Sequence, residues 1–200
     1  MGINLQKGQR ISLSKEAPGL KQLQCGLGWD VRKKTGGGFF GSFSGAKNFD
    51  LDASVVCLDE NDKMSNSKDL VYFGNLTHPS RAIIHRGDNL TGAGEGDDEV
   101  VMVDLTKIPA NIAKLVFVVN IYHAAKRKQD FSQVANAFVR LVDSSNNKEL
   151  ARYNLSGSDY LGMTSMVLAE VYRRNDEWKM AAIGEGLQLD GLKEITKKYS

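Results

Sequence analysis

The chain is divided into short apolar stretches of strand length, set apart by polar or glycine-rich turns, and this rhythm leaves little choice of fold. LGWDV places Leu27, Trp29 and Val31 on one face and Asp30 on the other. In FDLDASVVCL, Phe49, Leu51, Ala53 and Val55 alternate with Asp50, Asp52 and Ser54. A period of two is the signature of a strand with one face buried. LVYFG, EVVMVDL, KLVFVVNIYH, FVRLVD and ELARYNL continue the series. MVLAEVYRR and EWKMAAIGEG flank Asn175-Asp176, a pair suited to a tight hairpin turn. Residues 3–5 and 11–13 read as a small opening hairpin. Helical spacing is confined to a short turn within DLTKIPANIAKL and to residues 191–199, where Leu192, Ile195 and Tyr199 share a face. The prediction is an all-β protein: an antiparallel β-sandwich with few short helices and a C-terminal helix. No linker interrupts the pattern, so residues 1–200 are read as a single domain.

Composition excludes several functions. With 42% hydrophobic residues and a mean hydropathy of −0.32, the chain reads as soluble and globular. No apolar run approaches the roughly 18 residues of a membrane span. The N-terminal MGINLQKGQRISLSK has no apolar core of a secretory signal, which predicts a cytoplasmic protein with Cys25 and Cys57 as free thiols. A net charge of +2 gives no general attraction for nucleic acid. Charge is unevenly spread, however. Residues 87–104 are acidic, whereas residues 126–128, 173–174 and 193–198 are basic. Acidity confined to one stretch points to a site.

That stretch contains GDNLTGAGEGDDE, residues 87–99. Five of its thirteen residues are carboxylates (Asp88, Glu95, Asp97, Asp98, Glu99), four are glycine and none is basic. Like charges this dense on a glycine-rich segment repel one another unless a cation neutralises them. Calcium takes about six to eight oxygens from carboxylates, amides and bent backbone. Asn89 and Thr91 add neutral side-chain oxygens. The segment is no EF-hand: Leu90, Gly92 and Ala93 stand where that loop needs an oxygen, an oxygen and a glycine, and its flanks read as strands. Asp50 and Asp52 share a strand face about 7 Å apart, and Asp30 lies on the polar face of another strand. A cation shared with the acidic loop would relieve their repulsion. The candidate metal ligands are therefore Asp30, Asp50, Asp52, Asp88, Asn89, Thr91, Glu95, Asp97, Asp98 and Glu99. An all-oxygen set favours calcium over zinc or copper, and over magnesium, which keeps its waters. His78, His85 and His123 are isolated, and the chain has neither a CxxC nor a GxSxG nucleophile elbow. TGGGFFGSFSGAKN, residues 35–48, leaves two readings open. Phe39, Phe40 and Phe43 either fold back on the core or form an exposed tip for a membrane or a protein.

GLGWD (26–30), FDLDAS (49–54), GDNLTGAGEGDDE (87–99), LVFVVNIY (115–122), NAFVRLVD (136–143), ELARYNL (149–155) and EVYRRNDEWKMAAIGEG (170–186) together resemble the TerD family of tellurium-resistance and stress-response proteins. The resemblance implies a calcium-binding sandwich, cytoplasmic and without established enzymatic activity, which works with a membrane protein of the same resistance system. It places Asp88, Asn89, Thr91, Glu95, Asp97, Asp98 and Glu99 on the family's acidic motif, Asp30 on its Gly-Trp-Asp, and Asp50 and Asp52 on its Asp-Leu-Asp. GGGFFGSFSGAK departs from the family as an enlarged loop. The expected function is that of a non-catalytic module in which calcium orders the acidic loop and so shapes a partner surface. The alternative is a calcium-dependent membrane- or nucleotide-binding sandwich.

Overall fold

The computed structural model describes residues 2–31, 50–87, 97–155, 160–189 and 191–200. Twelve strands are seen among them: β1 (Ile3–Leu5), β2 (Arg10–Ser12), β3 (Gln22–Val31), β4 (Leu51–Leu58), β5 (Leu70–Val71), β6 (Ile83–His85), β7 (Glu99–Asp104), β8 (Lys114–Ile121), β9 (Val134–Asp143), β10 (Lys148–Leu155), β11 (Ser165–Arg174) and β12 (Glu177–Leu187). The helices are short: α1 (Leu13–Glu16), α2 (Ala124–Arg127) and α3 (Leu192–Lys197). One sheet runs β1-β10-β9-β3-β7-β6 and the other β2-β12-β11-β8-β4-β5. Every pairing is antiparallel except that of β1 with β10. The all-β sandwich expected from the alternation is the fold observed.

Alternation builds the core. Leu23, Cys25, Leu27 and Trp29 of β3 face Leu51, Val55 and Cys57 of β4 and Leu115, Phe117 and Val119 of β8 across the space between the sheets. A second apolar cluster lies on the outer face of the second sheet. There Val56, Leu58, Val116, Val118 and Val167 are covered by Ile195 and Tyr199 from the C-terminal helix region. This explains why VVCL in β4 is apolar on both faces, while Asp52 and Ser54 keep the outer face polar at the strand's other end. Cys25 and Cys57 are both buried free thiols, as expected, and burial pushes each thiol pKa up.

The Asn175-Asp176 turn is found as read: φ is +53° and +58°, the two left-handed residues of a tight turn whose twist suits a β-hairpin. Arg173 stacks over the ring of its cross-strand partner Trp178, 4.9 Å from the centroid.

Three local expectations fail. Residues 3–5 and 11–13 do not pair with each other: β1 joins β10, β2 joins β12 in the other sheet, and Leu13 opens α1. LVYFG yields a two-residue strand, because the backbone of Tyr72 and Asn75 closes a turn immediately after Val71. No helical turn forms between Asp104 and Lys114. The Asp104 carboxylate accepts from the N–H and hydroxyl of Thr106, drawing the chain into a side-chain-closed turn ahead of Pro109.

β6 and β7 form a hairpin, with Ile83 opposite Val103, Ile84 opposite Met102 and His85 opposite Val101. The acidic segment is thus the connection of a hairpin at one edge of the first sheet. Residues 88–96, and with them Asp88, Asn89, Thr91 and Glu95, lie outside the described residues. So do Phe39, Phe40 and Phe43, and of Asp30 only the backbone is described.

Candidate metal centre

Each of the three consecutive acidic residues that close the loop meets a different partner. Asp97 lies against the outer face of the first sheet, where Arg140 of β9 grips it with two parallel bonds, Nε to Oδ1 at 2.7 Å and a terminal nitrogen to Oδ2 at 3.1 Å. Gln24 of β3 donates to Oδ2 as well, at 3.0 Å. A fork-to-fork pair of this kind is among the strongest charge-assisted contacts. It needs room, and Gly26 supplies it: a Cβ at that position would sit inside the Asp97 carboxylate. The Arg140 guanidinium pKa is raised, chiefly by the hydrogen bonds it donates to Asp97. Asp98 accepts from the Trp29 N–H at 2.8 Å, and its own N–H donates to the Leu27 carbonyl at 2.7 Å.

Glu99 turns inward. In a strand, the N–H and C=O of one residue point to the same side. At Ala53 that side is the β5 side, and β5 pairs only with Val55 and Val56. The Ala53 N–H donates to Glu99 Oε2, and the Ala53 carbonyl meets His85 Nε2 at 3.2 Å. Two side chains of the first sheet therefore satisfy the backbone of the second. Glu99 and His85 are both about 2% exposed, and His85 Nε2 lies 3.6 Å from the carboxylate. The other imidazole nitrogen, Nδ1, accepts from the Gly87 N–H at 3.2 Å. A backbone N–H can only donate and a carbonyl can only accept, so the ring is neutral with its proton on Nε2. Gly87 holds a φ of +116°, a conformation open to glycine, and sends the chain into the acidic loop from this fixed point. Both ends of the loop are thus anchored within one buried network.

The other predicted carboxylates are less alike than their spacing suggested. Asp50 meets the Arg127 guanidinium of α2, both terminal nitrogens lying 3.4 Å from Oδ2. Asp52, on the outer face of the second sheet, accepts from the Asn120 amide at 3.2 Å. At Asp50 the chain itself supplies a cation against the expected repulsion. Among the described residues, no three acidic, histidine or cysteine side chains gather into a group sized for a metal. A site here therefore needs oxygens beyond the described side chains.

The sequence singles out neither Arg140, Gln24 and His85 as anchors of the loop nor Arg127 as the partner of Asp50. Arg140 and Asp97 are 43 residues apart, and Arg127 and Asp50 are 77 apart. Arg140 stands directly across from Gly26 on β3, a pairing that exists only once the strands are in register.

An Asp-His-Ser arrangement also occurs. His78 Nδ1 is 2.7 Å from Ser80 Oγ, and Nε2 is 3.2 Å from Asp69. Ser80 Oγ already accepts from the Ala82 N–H, and the Ser80 N–H donates to the same Nδ1. The imidazole closes a turn, which is a structural use.

The family model described as TerD domain matches residues 1–199. The chain belongs to the TerD family. It is 52% identical over 201 residues to stress response protein SCP2 of Bacillus subtilis (strain 168), covering all of both chains. It is 41% identical over 199 residues to tellurium resistance protein TerD of Serratia marcescens, covering 100% of this chain and 97% of that one. A crystal structure of a Streptomyces coelicolor A3(2) homologue of telluride resistance protein (TerD) superposes with a TM-score of 0.68 at 20% identity, covering 91% of this chain and 99% of that one. That likeness shows the shared TerD fold. The membership places this chain among tellurium-resistance and stress-response proteins.

Proposed function

We propose that this TerD-family chain is a calcium-binding, non-catalytic stress-response module working in the cytoplasm, in which calcium orders the acidic loop and shapes a surface for a protein partner. A membrane protein of the same resistance system is a fitting partner. The reading is carried by one observation: the chain spends three carboxylates on fixing the loop's closing stem, through Arg140, the Trp29 N–H and the Ala53 N–H. Asp88, Asn89, Thr91 and Glu95 fall within an eight-residue stretch of sequence ahead of this stem, with no cation of their own among residues 87–99. Hard oxygens at that density suit calcium. In this reading Asp97 anchors the stem while Asp98 and Glu99 border the ion, and Asp30, Asp50 and Asp52 line the same end of the sandwich.

Isothermal titration calorimetry of the chelator-treated protein tests it. Calcium should bind in stoichiometric amount and magnesium far more weakly. At calcium about a hundredfold above Kd, stabilisation of about 2.7 kcal/mol is expected. For a chain of this length that is a rise in Tm of about 5–11 °C. No heat at millimolar calcium, with Tm unchanged, refutes the proposal.

A further inference from the structure

A cluster of exposed aromatic rings stands at the same end of the sandwich, beside Asp50 and outside the acidic loop. Two loops leave the second sheet on either side of β4, one after Val71 and one after Ile121. The first is the tight turn closed by Tyr72 and Asn75, which puts Phe73 near its tip with 46% of its surface exposed. The second carries Tyr122, 39% exposed. Their rings meet edge to face at 6.4 Å, at an angle of 87°. Arg127 stands over the Tyr122 ring, 5.4 Å from its centroid. Lys126 and Lys128, its neighbours in the chain, are exposed.

Exposed rings at a turn tip, flanked by cations, are costly to leave in water and suit the boundary between water and lipid. We propose that this surface docks peripherally on anionic lipid bilayers. Phe73 and Tyr122 enter the headgroup region, and Lys126 and Lys128 sit against lipid phosphates and carboxylates. The facing acid, Asp50, is buried against Arg127, Asp130 is taken up by the Ser132 N–H and hydroxyl, and no ion pair of Lys126 or Lys128 is seen among the described residues. Single-stranded nucleic acid fits less well. Its bases need open ring faces to stack on, whereas Arg127 covers a face of Tyr122 and Phe73 meets that ring edge to face. The inference stands on residues outside the acidic loop, so it can fail separately from the calcium proposal.

Vesicle sedimentation tests it, using phosphatidylcholine alone or with about one third phosphatidylserine. The same protein samples are checked for calcium binding by calorimetry. The full chain in calcium should sediment only with the anionic vesicles. Phe73→Ser and the double variant Lys126→Glu/Lys128→Glu should each lower the partition at least about tenfold. Both variants alter exposed side chains, and unchanged melting will verify their folding. Three results overturn the proposal, whatever calorimetry says of calcium: no sedimentation, sedimentation equal on both vesicle types, or variants that bind as the parent does. Retention by single-stranded DNA without retention by vesicles overturns it too and assigns the surface to nucleic acid.

Discussion

Replacing Glu99 with alanine separates the structural duty of the acidic loop from its proposed metal duty. Glu99 is buried and accepts from the Ala53 N–H across the two sheets. Its removal leaves a buried donor without that acceptor, at about 1–3 kcal/mol, and opens a void where the side chain lay. A total near 3 kcal/mol is expected, a fall in Tm of about 6–12 °C for a chain of this size. Glu99→Gln keeps an oxygen for the Ala53 N–H but loses the charge, and should cost about 1 kcal/mol. Thermal melts in chelator isolate this structural term. In saturating calcium the gap between parent and variant should widen, because the variant also loses a carboxylate beside the ion. A Glu99→Ala protein melting within a degree of the parent in chelator refutes the claim that Glu99 bridges the sheets. A gap equal in chelator and in calcium refutes its metal duty alone.

Other outcomes follow from the same contacts. Gly26→Ala should eject Asp97 from Arg140 and cost about 2–4 kcal/mol by chemical denaturation; Arg140→Met should cost a similar amount, and the double variant less than the sum, since both break one contact. Asp176→Gly should raise Tm by about 1–4 °C, because glycine holds the positive φ without strain. Asp104, whose pKa the Thr106 hydroxyl holds down to about 2, contributes stability that is present above its ordinary value near 4 and is lost as pH falls through about 2. Asp104→Asn should therefore destabilise at pH 7 and make little difference below pH 2 in urea titrations. Cys25 and Cys57, buried with raised pKa values, should react with a thiol reagent at neutral pH only as fast as the protein unfolds.

What the amino-acid order made legible was whatever depends on near neighbours. Strand faces in β3, β4 and β7 follow from alternation, and the β11–β12 turn from Asn175-Asp176 alone. Pairings made far along the chain were hidden. Residues 3–5 and 11–13 look like hairpin partners until β10 and β12 are available to compete for them. The acidic loop announced itself by carboxylate density. The cations that pair with the candidate carboxylates did not, since Arg127 and Arg140 are unremarkable basic residues until folding carries them to Asp50 and Asp97. His85 is an isolated histidine in the sequence. Its tether to Ala53 exists only because β5 ends short and leaves that backbone facing the other sheet.

Hydrogen–deuterium exchange across residues 87–99, followed by mass spectrometry in calcium and in chelator, tests the central claim most directly. If calcium holds the acidic loop in one conformation, peptides spanning 88–96 should slow their exchange at least about tenfold in calcium and not in magnesium, while β3 and β8 change little. Identical exchange of those peptides with and without calcium would contradict the account.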